Sequence, residues 1–179
     1  MQKEQFISIK ESGNKESDNK AYYSDREMTI RHREDGPAIE YADGSKAWYL
    51  NGERHREDGP AYEDADGSRE WFINGKRHRE DGPAIEYANG DEEWYLNGKR
   101  HREDGPAIEW ANGSKWWYLN GKCHREDGPA YEDVDGYKGW YINGEKLTAE
   151  EFNARNVELT LDEIANKFGV SVDQLKIKK

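Results

Sequence analysis

The sequence predicts a mainly β protein, an elongated single-sheet solenoid of five antiparallel β-hairpins followed by a small α-helical cap. Three observations support this prediction. The heptapeptide HREDGPA occurs five times, with 23 residues between the starts of successive copies. Two short segments rich in β-prone residues follow each copy, with Asp-Gly or Asn-Gly between them. After residue 146 this pattern stops, and sequences typical of helix N-termini take its place.

The repeats occupy most of the chain. Five units of 23 residues cover 32–54, 55–77, 78–100, 101–123 and 124–146. A period of this length is typical of solenoids, in which each unit buries apolar surface against its neighbours. We therefore expect three parts, namely N-terminal capping strands with a flexible loop over 1–31, the repeats over 32–146, and a helical C-terminal segment over 147–179.

Each repeat is predicted to form one hairpin. In the first repeat the strands are 37–42 and 46–50, Asp43-Gly44 is the turn, and Asn51-Gly52 turns the chain again. Glycine and asparagine adopt the positive φ that such turns need, and proline fits the first residue of a strand. Because side chains alternate along a strand, each hairpin has two distinct faces.

One predicted face is nearly the same in every repeat. It carries a tryptophan on each return strand and an aliphatic residue two positions later, so we expect it to be the core. These residues are Trp48, Trp71, Trp94, Trp117 and Trp140, with Leu50, Ile73, Leu96, Leu119 and Ile142. Burial of roughly 200 Å² per aromatic ring at about 25 cal/mol/Å² contributes on the order of 5 kcal/mol before chain entropy is subtracted.

The opposite face differs from repeat to repeat. A scaffold repeats the residues that it needs for folding, so the positions that vary are free to contact a partner. The fourth repeat has two additional tryptophans on this face, on strands predicted to pair. The predicted partner-binding residues are Trp110, Trp116, Tyr87, Tyr95, Tyr118 and Glu93. The alternative is that these rings pack against a terminal segment or a second copy of the chain.

The two ends of the repeat array are expected to be capped. The segments 6–9 and 27–30 are predicted as N-terminal capping strands. Hydroxyl residues followed three positions later by Glu or Gln, at 148, 160 and 171, predict helices near 149–156, 161–168 and 172–178. The stretch 161–175 resembles the two-helix core of helix-turn-helix domains, which leaves DNA association through the C-terminal helices as an alternative hypothesis.

The motif histidines are candidates for metal ligands, and their spacing argues against that role. Equivalent atoms of successive hairpins lie roughly 9 to 10 Å apart, whereas two imidazole ligands of one zinc ion need nitrogens within about 4 Å of each other. The sequence also has no nucleophile motif, phosphate loop or paired metal ligands. We therefore predict no enzyme, cofactor or metal site. The motif is expected to fasten hairpins together, its Asp accepting backbone N–H bonds and its imidazole donating to a carbonyl.

The charge of the chain bears on its partners. The net charge is −11, and the repeats carry 16 basic and 26 acidic residues, which disfavours nucleic acid and anionic membranes. No apolar run approaches the length of a membrane span, and the N-terminal residues do not resemble a signal peptide. With Cys123 as the single cysteine, these observations predict a cytoplasmic protein.

The repeats resemble a known class. The 23-residue period, with Asn-Gly-Lys-Arg-His and Tyr-Ala-Asp-Gly-Ser, is similar to MORN repeats and to the related repeats of YwqK-type antitoxins. The HREDGPA form departs from a MORN unit, which typically has a shorter Gly-containing segment, and looks like repeats in accessory proteins of large tailed bacteriophages. The resemblance implies a hairpin solenoid used for binding, with counter-defence or toxin neutralisation in the host cytoplasm as its setting.

Two hypotheses of different classes follow. The first is a protein-binding scaffold, such as an inhibitor or antitoxin that binds a host defence protein or a toxin. The second is a small-molecule sponge, in which aromatic rings stack on a nucleotide base and arginines hold its phosphates. A homo-oligomer is compatible with either hypothesis.

Overall fold

A computed structural model describes residues 6–10, 19–155, 165 and 171–172. The chain is mainly β and confirms the predicted fold class. Consecutive hairpins build one open antiparallel sheet of 13 strands, accompanied by four two-stranded ladders. A short helix at 149–155 follows the last strand, and among the described residues no helix is long and apolar enough to cross a membrane.

The strands are short, and most have two residues. In chain order they are β1 (Phe6–Lys10), β2 (Asn19–Tyr23), β3 (Ile39–Glu40), β4 (Lys46–Ala47), β5 (Tyr49–Leu50), β6 (Glu53–Arg54), β7 (Tyr62–Glu63), β8 (Arg69–Glu70), β9 (Phe72–Ile73), β10 (Lys76–Arg77), β11 (Ile85–Glu86), β12 (Glu92–Glu93), β13 (Tyr95–Leu96), β14 (Lys99–Arg100), β15 (Ile108–Glu109), β16 (Lys115–Trp116), β17 (Tyr118–Leu119), β18 (Lys122–Cys123), β19 (Tyr131–Glu132), β20 (Lys138–Ile142) and β21 (Glu145–Leu147). The large sheet has the order β1-β2-β3-β4-β7-β8-β11-β12-β15-β16-β19-β20-β21.

Each repeat forms two hairpins, which corrects the prediction of one. In the first repeat β3 pairs with β4 in the large sheet, and β5 pairs with β6 in a separate ladder. The predicted return strand is divided at Trp48, whose N–H donates to the Ala61 carbonyl of the next repeat. The Trp48 carbonyl accepts the N–H of His55. The first half of the return strand therefore pairs with the next repeat. The second half pairs with the strand that follows the Asn-Gly turn of its own repeat.

The two turns of each repeat differ in kind. Asn51 and Gly52 both have positive φ, at 50° and 86°, as a two-residue type I′ hairpin requires. In the Asp-Gly turn only Gly44 has positive φ, at 94°, and the Tyr41 N–H donates to the Ser45 carbonyl. This second turn is a three-residue loop with glycine in the left-handed position. The sequence prediction that both dipeptides are turns is confirmed.

The motif arginine connects each repeat to the one before it. The Arg79 guanidinium lies 4.0 Å from the ring centre of Trp71 in the preceding repeat. Its Nε donates to Asp81 Oδ1, and its Nη1 donates to the Pro83 carbonyl and to Glu86 Oε1. The other arginine–ring pairs, at 4.0 to 4.2 Å, are Arg33 with Tyr22, Arg56 with Trp48, Arg102 with Trp94 and Arg125 with Trp117.

The motif glycine provides the space for this arrangement. A methyl group on Gly82 would lie 2.7 Å from the Cζ atom of Arg79, closer than a van der Waals contact allows.

The motif aspartate binds a side chain, whereas the sequence predicted that it accepts backbone N–H groups. Asp81 accepts from the Arg79 side chain, and this hydrogen bond lowers the pKa of the carboxyl group.

The motif histidine accepts a hydrogen bond, whereas the sequence predicted that it donates one. In each repeat its Nδ1 accepts the backbone N–H of the asparagine 19 residues later, as in the 3.2 Å bond from Asn97 to His78. The four equivalent bonds are 3.0 to 3.2 Å long. Because a backbone N–H can only donate, Nδ1 is the acceptor, and the histidine fixes the Asn-Gly turn.

The core differs from the prediction of a tryptophan ladder. The motif alanines are fully buried, and the isoleucines that follow three of them are nearly so, whereas all five tryptophans are only half-buried. The buried residues are Ala38, Ala61, Ala84, Ala107 and Ala130, with Ile39, Ile85 and Ile108. The physical reason is that a single-layer sheet has no second layer to cover its rings. Trp71 packs on the buried Ala84 and is itself covered by an arginine.

The N-terminal cap is a partial repeat that the sequence did not reveal. The predicted strand at 6–9 is present as β1, but its partner is β2 and not 27–30. In β2, Tyr22 takes the position of a repeat tryptophan, because its N–H donates to the Ala38 carbonyl and its ring lies beneath Arg33. Residues 24–30 instead form a loop in which Asp25 accepts the N–H groups of Thr29 and Ile30.

The C-terminal helix begins as predicted. The Thr148 hydroxyl accepts the Glu151 N–H, and the Glu151 carboxylate accepts the Thr148 N–H, which together make a capping box. This backbone hydrogen bond lowers the pKa of Glu151. The predicted helices near 161–168 and 172–178 fall almost wholly outside the described residues.

Substitution of Gly82 by Ala tests the role of the motif glycine. The added methyl group displaces the Arg79 guanidinium from Trp71, so we expect the free energy of unfolding to fall by about 1 to 3 kcal/mol in urea denaturation. Glu80→Ala, at an 81% exposed side chain in the same motif, is the control and should change it by less than about 0.5 kcal/mol. Equal effects of the two substitutions would contradict this role.

Candidate binding face

The side of the sheet that differs between repeats is built from five positions. In the first repeat these are Ile39, Tyr41, Ala47, Tyr49 and Arg54, and we call this side, with the equivalents at multiples of 23 residues, the variable face. Strand register places Ile39 opposite Ala47, and Tyr49 opposite Arg54. Residues directly opposite in a β-ladder point to the same side, so these pairs share a face.

The third repeat contains a buried charged cluster on the variable face. Glu93 is only 4% exposed. The Tyr95 hydroxyl donates to Glu93 Oε2 at 2.9 Å, and Arg100 donates to the same oxygen from Nε at 3.1 Å. The Tyr87 hydroxyl lies 3.4 Å from Oε1. Burial raises the pKa values of both tyrosines, and the Glu93 carboxylate raises them further.

Arginines and aromatic rings alternate along this face. The Arg77 Cζ atom lies 5.8 Å from the ring centre of Phe72 and 5.5 Å from that of Tyr95. Arg100 lies in the same way between Tyr95 and Tyr118, at 5.8 and 5.6 Å. Each arginine also forms an ion pair with the glutamate seven residues before it, Arg77 with Glu70 in the second repeat as Arg100 does with Glu93 in the third.

The fourth repeat replaces this ion pair with apolar groups. Trp116 takes the glutamate position, and Cys123 takes the arginine position. Cys123 is 9% exposed, its Sγ–H donates to the Ala130 carbonyl at 3.7 Å, and burial raises the thiol pKa to about 11. A thiol with this pKa is a poor nucleophile near neutral pH, so Cys123 serves packing beside Trp116.

An aromatic cluster extends from the fourth repeat into the fifth. The ring centres of Trp116 and Tyr131 are 4.0 Å apart, and Trp116 also stacks on Tyr118 at 6.2 Å. Tyr137 lies 5.9 Å from Tyr131 and is 54% exposed. Val134, in the same Asp-Gly loop, is 63% exposed. The Asp-Gly loop beside this end of the variable face therefore presents apolar surface to solvent.

Two other variable positions change together. Where the first strand carries tyrosine, the residue two positions later is an aspartate that accepts its hydroxyl, as Tyr62 donates to Asp64 at 2.8 Å. The same pair recurs as Tyr131 and Asp133 at 3.3 Å. Where the first strand carries isoleucine, an aromatic ring stands two positions later instead. Those rings are Tyr41, Tyr87 and Trp110.

The structure brings together five of the six residues predicted to bind a partner. Glu93 hydrogen-bonds Tyr87 and Tyr95, and Trp116 stacks on Tyr118. Arg100, which the sequence did not indicate, lies between the rings of these two groups. The sixth residue, Trp110, follows β15 on the same face, with its N–H bonded to the Ser114 carbonyl.

The six residues differ in what they can touch. Glu93 and Tyr95 are buried, so they support their neighbours and do not form an outer surface. Tyr87 is 39% exposed, and Trp110, Trp116 and Tyr118 are half-buried. Tyr137 and Val134 were not predicted, although both occupy positions that vary between the repeats. No group of three His, Cys, Asp or Glu side chains suited to a metal ion occurs among the described residues.

Comparison with models of known protein families found no match for the chain. A search of curated proteins likewise found no match.

The exchange of Glu–Arg for Trp–Cys in the fourth repeat can be tested by reversing it. Cys123→Arg alone places a guanidinium beside Trp116 with no carboxylate to receive it, and we expect it to be destabilising. Trp116→Glu together with Cys123→Arg restores the pair found in the second and third repeats. The coupling free energy from urea denaturation of the singles and the double should favour the pair by about 1 to 2 kcal/mol. Additive effects would contradict the interpretation that these positions form one interacting pair.

Proposed function

We propose that the protein is a non-enzymatic scaffold that binds a protein partner through the variable face of its third to fifth repeats. The observation that carries this proposal is the difference between the two faces of one sheet. On one face, the arginine of every motif stacks on an aromatic ring that precedes the motif and donates to the aspartate and the proline carbonyl of its own motif. On the other, at the positions of Ala47 and Tyr41, the repeats carry different side chains. Folding accounts for the first face, and selection for a partner accounts for the differences on the second.

The exposed chemistry of the variable face suits a protein surface. Aromatic side chains contribute a large contact area with few rotatable bonds and are enriched at protein interfaces. The accessible rings here are Tyr87, Trp110, Trp116 and Tyr137, with Val134 beside the last of them. Rings already held by Tyr131 and Arg100 are ordered before binding, which lowers the entropic cost of association.

The charge of the repeats indicates the character of the partner. The glutamate of each motif is 67% to 85% exposed, so the five motifs present five carboxylates to solvent. With 26 acidic and 16 basic residues in the repeats, the array attracts positively charged surfaces at long range. We therefore propose a partner that combines an apolar patch with basic surroundings.

A toxin or a host defence protein is the class of partner that the repeat resemblance implies, and it forms part of this proposal. Neutralising such a protein in the cytoplasm requires only that its working surface be covered. A rigid array with a large contact face can do this without chemistry of its own.

A nucleotide sponge is the competing proposal. It needs guanidinium donors for phosphate, but on the variable face Arg77 and Arg100 already donate to Glu70 and Glu93. A phosphate would have to displace a carboxylate at each of these positions. We therefore favour a protein partner.

Substitution of Tyr87 and Trp110 by serine tests the proposed contact surface. Neither ring belongs to the Trp116–Tyr131 stack, so we expect the fold to be retained in circular dichroism and binding to be lost. The control is Tyr41→Ser, at the equivalent position of the first repeat. The immobilised proteins are used to capture partners from bacterial lysate, and affinity for the captured protein is then measured by calorimetry.

Two outcomes would count against the proposal. If the double variant retains full affinity for a protein captured by the wild-type chain, the assigned surface is wrong. If the wild-type chain instead binds a nucleotide in a calorimetric panel, and the double variant does not, the sponge is the better explanation of the same face.

A further inference from the structure

A groove is present on the side of the sheet opposite the variable face. It lies between the motifs of the third and fourth repeats and has a volume of about 720 Å³. A smaller groove of about 590 Å³ lies between the motifs of the second and third repeats. The floor of the larger groove includes Trp94 and Leu96, and its charged lining contains two arginines against five carboxylates. The groove is therefore both apolar at its base and acidic overall.

One carboxylate in the larger groove breaks an otherwise regular pattern. On this face of the large sheet, the first strand of every repeat carries glutamate, and the second strand carries a basic residue in four of the five repeats. The second-strand residues are Lys46, Arg69, Glu92, Lys115 and Lys138. Glutamate opposite lysine or arginine is a favourable cross-strand pair, whereas glutamate opposite glutamate is not. Glu92 therefore stands where the other repeats supply a cation.

Among the described residues, the Glu92 carboxylate has no cation in direct contact, although Arg79 and Arg102 line the same groove. It is paired in register with Glu86 on one side and Glu109 on the other. Those two carboxylates are held by the motif arginines, from Arg79 at 2.7 Å and from Arg102 at 2.8 Å. Within the described part of the chain the Glu92 side chain makes no hydrogen bond or ion pair. Burial raises its pKa, Glu109 and Glu86 raise it further, and Arg102 and Arg79 offset part of this rise.

We propose that this groove receives the cationic side chain of a lysine or arginine carried by the protein partner. The other repeats show the arrangement that such a side chain would complete, since Arg69 lies 3.8 Å from Glu86 and Lys115 lies 3.9 Å from Glu109. The methylene stem would lie on the apolar floor of the groove at Leu96, beside the Arg102 guanidinium that stacks on Trp94, as long basic side chains do on apolar surface. A metal ion fits less well, because no metal-binding group of side chains occurs in the described residues.

The inference rests on the proposed function only in assigning the cation to a protein. The site itself can be tested without any partner. Butylammonium and ethylguanidinium chlorides represent the ends of lysine and arginine, and sodium chloride at equal ionic strength is the control. The titrations are followed by the amide and indole N–H signals of the full chain in ¹H–¹⁵N NMR, and comparison of the two probes distinguishes lysine from arginine.

Three variants make the experiment specific. Glu92→Lys supplies the missing cation from the chain itself, so we expect a higher melting temperature and no response to either probe. Glu92→Gln removes the charge at nearly constant volume and should weaken the response. Arg69→Glu creates the same arrangement in the second repeat and should add a response at the Trp71 indole.

The expected wild-type result is a saturable shift at Trp94 and the residues around Glu92 that sodium chloride does not reproduce. The proposal is overturned if neither probe gives such a shift, or if Glu92→Lys responds as the wild type does. Either result would leave the variable face to be judged by its own variants, so failure of the site and failure of the proposed function are distinguishable.

Discussion

The guanidinium group of the motif arginine is the element on which the structure depends. It stacks on a ring of the preceding repeat while it binds the aspartate, proline and, in most repeats, glutamate of its own. A single-layer sheet has no second layer to bury its side chains, so contacts between successive repeats must replace a conventional core. A cation–π contact contributes about 0.5 to 2 kcal/mol, and its repetition along the array stabilises each repeat through its neighbours.

The same requirement explains the ends of the array. Arg33 belongs to the first motif and needs a ring before it, which Tyr22 of the N-terminal strand supplies. After Trp140 no further motif arginine follows in the sequence, and the chain continues into the helix at 149–155. Phe152 of this helix is 2% exposed, so the helix buries an aromatic side chain where the repeats end. The N-terminal end therefore continues the repeat with other residues, whereas the C-terminal end changes to a helix with a buried aromatic side chain.

The sequence predicts those features that depend on local chemistry or on period. The 23-residue spacing predicts the hairpin array, Asn51-Gly52 predicts a turn, and Thr148 with Glu151 predicts a helix start; the structure has all three. The sequence does not reveal that Arg79 folds over Gly82 onto Trp71, because this depends on the distance between two repeats. It also misplaces the core. Side chains alternate between the two faces of a single-layer sheet, so the sequence pattern alone does not tell which residues are most deeply buried. Packing decides that Ala84 is buried more fully than Trp71.

The candidate site was predictable to the extent that it lies where the repeats differ. Glu93 and Trp116 stand out in an alignment of the five units, but their partners Arg100 and Tyr131 occupy positions that look ordinary there.

The central claim is that stacking of the motif arginine couples neighbouring repeats. The most direct measurement is a double-mutant cycle with Arg79→Met and Trp71→Leu in urea denaturation, with Arg79 and the distant Trp117 as the control pair. The account predicts a coupling free energy of about 1 kcal/mol or more for Arg79 with Trp71 and none for the control. Additive effects of Arg79 and Trp71 would contradict it.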